Sequence, residues 1–374
     1  MGASFRRLDR LLISAVMLLG ATGGLAIARA ERIAGSDGVM LYRQYFFCLV
    51  SAGATVLTLR VNYRALSRSS YAVMTLTILL LLAVYLFPAT NGARRWLRLG
   101  PIGFQPSEFA KLAFVLALAK YLMYRDSYRQ LSGLLIPFAL TLVPVLLILK
   151  EPDLGTALVF FPVLFAMLFA AGARISHLSI VVVAGICLLP VLWSQMSREQ
   201  RSRITALAEQ TTADQRPTDD GYHLHQAKQM LALGGFGGSL LASSGDIDLS
   251  LYRVPEAQTD SIFTAIAERF GLWGAGLALS LYAVVVWRCL AIAQMTREPF
   301  GRLIAIGIGI LLAVQVLINT GMMVGLLPIT GLALPLISYG GSSLLATTIG
   351  LALVLNVGLH PGYEVAGEPF RFRD

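Results

Sequence analysis

Long apolar runs recur along the whole chain, and they constrain its fold more than any other feature. Many approach the roughly 20 residues that span a bilayer, and lipid offers no partner for an open backbone N–H or C=O, so each run must be helical. The 374 residues are 56% hydrophobic and only 14% charged, with a mean hydropathy of +0.70. Too few polar side chains remain to cover a soluble globule of this size. The sequence therefore predicts an all-α polytopic membrane protein.

About ten membrane helices are predicted within a single domain that covers residues 1–374. They lie at about 11–28, 39–59, 71–89, 109–124, 131–149, 154–171, 177–196, 261–292, 303–326 and 334–358. A long polar connection, at about 197–260, separates the seventh helix from the eighth. The small residues at 28–30 would also suit a signal-peptide cleavage site, but the run before them is longer than a usual signal core, so we expect a retained first helix.

The distribution of positive charge predicts that both termini lie in the cytoplasm. With the N-terminus inside, fifteen Lys and Arg fall on the cytoplasmic side, against eight outside once the long connection is set aside. The 30 Lys and Arg are scattered and give a net charge of +9 without a contiguous basic face, which excludes nucleic-acid binding.

Cys48, Cys187 and Cys289 each lie within an apolar run and indicate neither a disulfide framework nor a metal site.

The border between the long connection and the eighth helix carries two carboxylates. The stretch Arg253–Gly271 places Glu256 and Asp260 where a polar segment meets an apolar helix. A carboxylate there is compatible with catalysis. It is also compatible with helix capping, because Thr259 or Asp260 before an apolar run is an ordinary N-cap signal.

A cluster of arginines opposes the positive-inside rule in the outer connection between the third and fourth spans. Arg94, Arg95 and Arg98 lie there beside Trp96. A guanidinium can hold two phosphate oxygens at once and stays charged at physiological pH, so the cluster suits a phosphate ligand. Alternatively, the arginines reach lipid headgroups while Trp96 joins an interfacial aromatic belt.

Two further outer helix starts carry charged residues. Glu108 and Lys111 are three residues apart and share a helix face, either as a local salt bridge or as an ionisable group facing a cavity; Ser107 could cap that helix. Lys150 and Asp153 open the next such site, where Asp153 is a good helix cap.

Two segments that contain glycine indicate a structure or a site less specifically. His223 and His225 lack a spaced carboxylate or cysteine and read as solvated, and the glycines that follow at 234–238 read as flexible backbone. The segment 325–343 combines two prolines with small residues, which favours a broken, re-entrant passage; close helix packing through glycine is the alternative.

Four separated motifs, in this order, resemble the SEDS family (shape, elongation, division and sporulation), which includes RodA-like and FtsW-like proteins. They read G-A-R-R-W with Q-P-S-E-F-A-K-L, K-E-P-D-L-G-T-A-L, P-E-A-Q-T-D-S-I-F with A-E-R-F-G, and P-L-I-S-Y-G-G-S-S. The chain departs from the family at Gln258 (commonly His), Ser261 (commonly Phe) and Glu151 (more often Gln), and in the pattern of 234–250. Gly-Tyr-His in the outer loop favours the RodA-like members, but leaves elongation and division open.

The resemblance implies a peptidoglycan glycosyltransferase that polymerises lipid II at the outer face of the bacterial cytoplasmic membrane. It implies partnership with a class B penicillin-binding protein and with other membrane proteins of the elongation or division complexes. The family's catalytic aspartate carries over to Asp260, its motif lysine to Lys111, and the arginine before tryptophan to Arg95. The full set of expected substrate-binding residues is Arg94, Arg95, Trp96, Glu108, Lys111, Lys150, Asp153, Glu256, Ser338 and Gly340.

The chemistry expected of such an enzyme agrees with these residue types. Forming a β-1,4 bond from an α-linked sugar diphosphate inverts the anomeric carbon and needs one base, for which Asp260 is our hypothesis. The diphosphate needs charge stabilisation from arginine and lysine, with a divalent cation (Mg or Mn) as an optional contributor and no organic cofactor. A flippase for the lipid-linked precursor, or a non-catalytic scaffold, are the alternative functions.

Overall fold

The structure is a computed structural model, and it describes residues 8–35, 38–88, 94–99, 102–125, 129–196, 198–209, 220–240 and 257–360. Its helices are α1 (Arg10–Ala34), α2 (Val39–Arg60), α3 (Tyr63–Val84), α4 (Pro106–Leu122), α5 (Leu135–Lys150), α6 (Leu154–Ala171), α7 (Ile175–Gln195), α8 (Arg198–Glu209), α9 (Asp220–Gly234), α10 (Ile262–Met295), α11 (Pro299–Val324) and α12 (Gly341–Leu359). A short 3₁₀ turn, Ser132–Leu134, leads into α5. Two strands, β1 (Leu97–Leu99) and β2 (Ile102–Phe104), pair as an antiparallel hairpin.

A helix lies at each of the ten predicted spans, so the prediction of an all-α polytopic membrane protein is confirmed. Within the described ranges, seven helices are long and apolar enough to cross a membrane: α1, α3, α5 with its leading turn, α6, α10, α11 and α12. Helices α2, α4 and α7 lie at the other three predicted spans. Helices α8 and α9 fall inside the long connection, and the assignment of the whole chain to one domain stays a prediction.

Two boundaries differ from the sequence prediction for local reasons. Helix α3 begins at Tyr63, well before residue 71, because the Asn62 side chain accepts a hydrogen bond from Arg64 N at 3.0 Å and caps a polar first turn. The last helix begins at Gly341 and not at residue 334, because residues 325–340 form an irregular, largely buried passage. The predicted break in helical structure is therefore confirmed.

Ion pairs fasten α1 to α10 at both ends of these antiparallel helices. The Arg288 guanidinium lies 2.6 Å from the Asp9 carboxylate at one end, and the Arg29 guanidinium lies 2.8 Å from the Glu268 carboxylate at the other. The second pair is the more buried, with Glu268 only 1% exposed. This pairing fixes the first turns of α10, which carry Asp260 just ahead of them.

The glycines after α9 dock this helix against α10. A Cβ atom on Gly234 would lie 2.0 Å from the Ala267 carbonyl oxygen, so only glycine fits there. Gly235 O accepts from Leu272 N at 2.9 Å beside Gly271, whose φ of +65° interrupts the helical geometry of α10. The interpretation of these glycines as flexible backbone thus missed their role in close packing.

Candidate active site

Asp260 lies one residue before the cap of α10. The helix begins at Ile262 with Ser261 in the N-cap position, and the Ser261 carbonyl accepts from both Thr264 N (3.0 Å) and Thr264 Oγ1 (2.7 Å). The N-cap residue is therefore Ser261, one residue after Asp260 and two after Thr259, where the sequence pattern indicated it. The two positions differ because a sequence pattern locates a cap only to within a residue or two.

The backbone around Asp260 is held by parts of the chain that follow much later. The Asn319 amide on α11 donates to the carbonyls of Asp260 and Leu332, at 2.7 Å each. The Ser338 hydroxyl donates to Thr259 O at 2.6 Å, and Tyr339 N donates to Gln258 O at 2.9 Å. Helix α11 and the irregular passage together fix the position from which the Asp260 side chain projects.

Gly331 makes room for the Asp260 carboxylate. A Cβ atom on Gly331 would lie 3.3 Å from Asp260 Oδ2, and the φ of +70° at Gly331 is one that glycine adopts without strain. Neighbouring Thr330 packs against α6, because a Cβ atom on Gly155 would lie 2.7 Å from Thr330 O. The start of α6, Gly331 and Asp260 are thereby brought close together.

Ser338 and Gly340, both expected to bind substrate, make hydrogen bonds within the protein. The Ser338 hydroxyl, besides donating to Thr259 O, accepts from Leu334 N at 2.8 Å and is buried. Gly340 is the N-cap of α12, and its N–H donates to Gln44 Oε1 at 3.4 Å. Their hydrogen bonds shape the irregular passage that supports Asp260, while direct substrate contact stays a prediction.

Glu108 and Lys111 form the expected local pair on α4. Lys111 Nζ lies 2.8 Å from Glu108 Oε1, and both side chains are buried. The helix starts earlier than expected, with Gln105 as the N-cap and Pro106 in the first turn, so Ser107 is not the cap. The local salt bridge, one of the two alternatives that the sequence left open, is therefore present.

A small cavity of about 20 Å³ connects this ion pair to α11. It is lined by Glu108, Lys111 and Gln315, among others. Gln315 precedes Asn319 by one helical turn, roughly 6 Å along the axis. The buried ion pair on α4 therefore faces the stretch of α11 that carries the amide holding Asp260.

The neighbouring residues Arg94, Arg95 and Trp96 make three different kinds of contact. Arg95 Nε donates to Glu151 O at 2.9 Å, and its Nη2 also donates to Pro152 O, so this guanidinium caps the end of α5. Arg94 donates to Tyr85 O at 3.1 Å. Trp96 covers Gly103 of the hairpin, where an added Cβ would lie 3.1 Å from the indole ring.

The turn between α5 and α6 contains three of the charged residues. Asp153 is the N-cap of α6, where its two oxygens accept from Thr156 N (3.1 Å) and Thr156 Oγ1 (3.0 Å). The Lys150 ammonium lies 5.4 Å from the centre of the Tyr85 ring. Glu151 is fully buried, and burial together with the nearby Asp153 raises the pKa of its carboxyl to about 8, although Arg95 opposes the shift.

An apolar groove of about 450 Å³ runs along the side of the protein next to this site. It lies between α2, α3, α4 and α12 and extends from Phe104 of the hairpin to Val61 near the opposite end. Leu112 lines both this groove and the small cavity beside Lys111. An apolar chain in the groove would thus pass close to the buried ion pair.

Other expected site residues carry less information. Glu256 lies outside the described residues. His225 contacts Gln229 at 2.8 Å, and within the described ranges no group of three or more His, Cys, Asp or Glu could hold a metal ion.

Sequence reasoning missed several residues that organise the site. Asn319 and Glu268 were identifiable as polar residues within apolar runs, which usually have a buried partner. Their partners could not be read from the sequence, because Glu268 and Arg29 are 239 residues apart. The contribution of Gly331 depends on the approach of Asp260, which no local pattern reports.

Comparison with known proteins identifies the class of this membrane protein. The FtsW/RodA/SpoVE family model, described as "Cell cycle protein", matches residues 7–361. The chain therefore belongs to this family, as the resemblance to SEDS proteins indicated.

Individual relatives cover most of the chain. It is 37% identical over 362 residues to "Probable peptidoglycan glycosyltransferase FtsW" of Nitrosococcus halophilus, covering 93% of this chain and 91% of the relative. It is 36% identical over 285 residues to "Peptidoglycan glycosyltransferase MrdB" of Escherichia coli, covering 76% of each.

Two solved structures share the fold. A chain from a study of how a peptidoglycan synthase complex coordinates polymerisation and crosslinking aligns with a TM-score of 0.79 and 32% identity, over 94% of this chain and 97% of the other. The rod-shape-determining protein RodA of Thermus thermophilus aligns with a TM-score of 0.71 and 30% identity, over 96% and 98%.

Proposed function

We propose that this protein is a peptidoglycan glycosyltransferase that polymerises lipid II into glycan strands and releases undecaprenyl diphosphate. Relatives that cover most of the chain carry the name peptidoglycan glycosyltransferase. The observation that carries the proposal is the fixed backbone at Asp260, which α11 and the irregular passage hold so that the carboxylate lies beside Gly331. A carboxylate held in this way suits a base that must meet one hydroxyl proton.

Asp260 is the proposed base for glycosyl transfer. It takes the proton of the acceptor sugar hydroxyl as that oxygen attacks the anomeric carbon of the donor. The bond from that carbon to the diphosphate breaks, and the configuration inverts. Because diphosphate leaves readily, the protein needs little general acid and more positive charge near the leaving group.

Positive charge for the diphosphate is proposed to come from Arg95, Arg94 and Lys150. Two of the five N–H donors of Arg95 are used by carbonyls, which leaves three for phosphate oxygens. Lys111 is paired with Glu108, so this pair adds no net charge near the diphosphate. The residues in the described ranges do not form a protein cage for Mg or Mn, so we derive no step through a cation.

The lateral apolar groove is the proposed place for the polyprenyl chain. Its lining is almost entirely aliphatic and aromatic, and it opens beside α4 close to the Lys111 cavity. A lipid chain there would remain in the bilayer while its diphosphate reached the charged residues at the Asp260 end. This arrangement suits a substrate with a long apolar tail.

Location and partner belong to the same proposal. We place the protein in the bacterial cytoplasmic membrane with the Asp260 end on the outer face, as the distribution of Lys and Arg favours. We also propose a class B penicillin-binding protein as its partner, together with other membrane proteins of elongation or division. A structural relative from a complex that joins polymerisation to crosslinking supports this pairing.

A polymerisation assay in detergent tests the proposed activity. Purified protein would be given fluorescent lipid II, with and without a class B penicillin-binding protein from the same cell, and products would be separated by length. We expect glycan strands from the wild type and at least about 100-fold fewer from an Asp260→Asn protein that folds normally. A flippase or a scaffold would form no strands in detergent, where there is no membrane to cross.

A further inference from the structure

Glu151 is a buried acidic residue to which the proposed mechanism assigns no role. The residue follows α5 and is 0% exposed, and neither carboxylate oxygen has a hydrogen-bond partner among the residues that the structure describes. An ionised carboxylate buried without partners is strongly disfavoured, whereas the neutral acid is much less so. The geometry therefore favours a protonated Glu151.

Few charged groups of the described residues lie near Glu151. Arg95 lies against the same turn through the carbonyls of Glu151 and Pro152, and it is the group that favours ionisation. Asp153 opposes ionisation as a like charge, and burial opposes it more strongly, so the pKa rises to about 8. On the neighbouring elements, Lys150 points its ammonium at the Tyr85 ring, and the Tyr85 hydroxyl donates to Leu147 O.

We propose that Glu151 is a positioning residue that holds a proton in the working protein and thereby leaves the charge of Arg95 available to the substrate diphosphate. When Glu151 loses this proton, a negative charge develops within the turn that Arg95 caps. The guanidinium then interacts with that carboxylate and with Asp153, and attracts the diphosphate less. The inference rests on the proposed function, because it assigns Arg95 to a diphosphate.

Ionisation of Glu151 makes the affinity for a lipid diphosphate depend on pH. Below about pH 8 Glu151 is neutral and does not offset the positive charge of Arg95. Above about pH 8 Glu151 is ionised and offsets part of that charge. Affinity for a lipid diphosphate should fall as the pH rises through this value. Asp153 accepts from Thr156 N and Thr156 Oγ1 as the cap of α6.

Binding of undecaprenyl diphosphate to the full-length protein in detergent, measured from pH 6.5 to 9.5, tests the idea. For the wild type we expect the dissociation constant to rise roughly tenfold across this range, as one added charge near the site would produce. Glu151→Gln, which keeps the shape and cannot ionise, should remain flat and resemble the wild type at low pH. Tyr85→Phe is the matched control for the other titratable neighbour, and it should retain the rise.

Infrared spectra provide a readout that does not depend on any ligand. The wild type should show the carbonyl stretch of a protonated carboxylic acid that disappears as the pH passes about 8, and Glu151→Gln should lack this band. Absence of a titrating band, or a pH-dependent affinity that persists in Glu151→Gln, would overturn the proposal. A protein that shows both effects but forms no glycan would instead refute the proposed enzymatic activity.

Discussion

Asp153 and Asp260 occupy similar places in the sequence and different places in the structure. Each precedes an apolar helix at the same end of the protein, where an acidic residue is an ordinary cap signal. Asp153 is the cap of α6, and both of its oxygens are used by Thr156. Asp260 stands one residue before the cap of α10, beside Gly331, with its backbone held by Asn319.

The difference separates a carboxylate that stabilises a helix from one that is positioned for chemistry. A cap is completed within its own first turn and needs nothing from distant parts of the chain. The surroundings of Asp260 come from α11 and from the irregular passage at 325–340. Two aspartates with one sequence signal can thus be distinguished by the origin of their partners.

The same substitution at both aspartates is the strongest way to break this comparison. Asp260→Asn should reduce lipid II polymerisation at least about 100-fold, because an amide cannot take the acceptor proton. Asp153→Asn should stay within about threefold of the wild type, because Asn is about as good a cap as Asp. Initial rates would be measured on folded, detergent-purified protein.

Near-wild-type rates for both Asn variants would contradict the assignment of the base to Asp260. Loss of activity in both would instead mean that the charge of Asp153 acts on the substrate as well. Matching elution profiles in size-exclusion chromatography would confirm that neither variant is misfolded.

Asn319→Leu tests whether the distant partners of Asp260 matter. The substitution leaves the buried carbonyls of Asp260 and Leu332 without their donor, so unfolding should become easier by about 2 kcal/mol, and activity should fall in the protein that remains folded. The free energy of unfolding would be measured by denaturant titration in mixed micelles. Thr320→Val is the matched control, since among the described residues that hydroxyl bonds within its own helix alone, to Val316 O at 2.8 Å.

Asp153→Ala gives the smallest expected effect and sharpens the other half of the comparison. Loss of the cap should lower the free energy of unfolding by about 1 kcal/mol, while Asp153→Asn should keep most of it. Activity per folded molecule should change little. A stability equal to that of the wild type would show that the Thr156 hydrogen bonds contribute no net stabilisation.

Much of the fold could be predicted from the sequence because its causes are local. Apolar runs of membrane-spanning length located helices at all ten expected positions, and proline with small residues indicated the break before α12. The Glu108–Lys111 pair followed from a spacing of three residues on one helix. The Asp153 cap was likewise identifiable, because its partner lies three residues away.

The arrangement of the candidate site required the tertiary structure. The sequence alone determined the membrane class, the helices and, with the resemblance to a family, the importance of Asp260. Only the folded chain decided that Asn319 would hold Asp260, that Arg29 would pair with Glu268, and that Glu151 would be buried with no hydrogen-bond partner in the described part of the chain. Periodicity and spacing report contacts within a turn or two, whereas these contacts form between helices whose neighbours are set by the packing of the whole bundle.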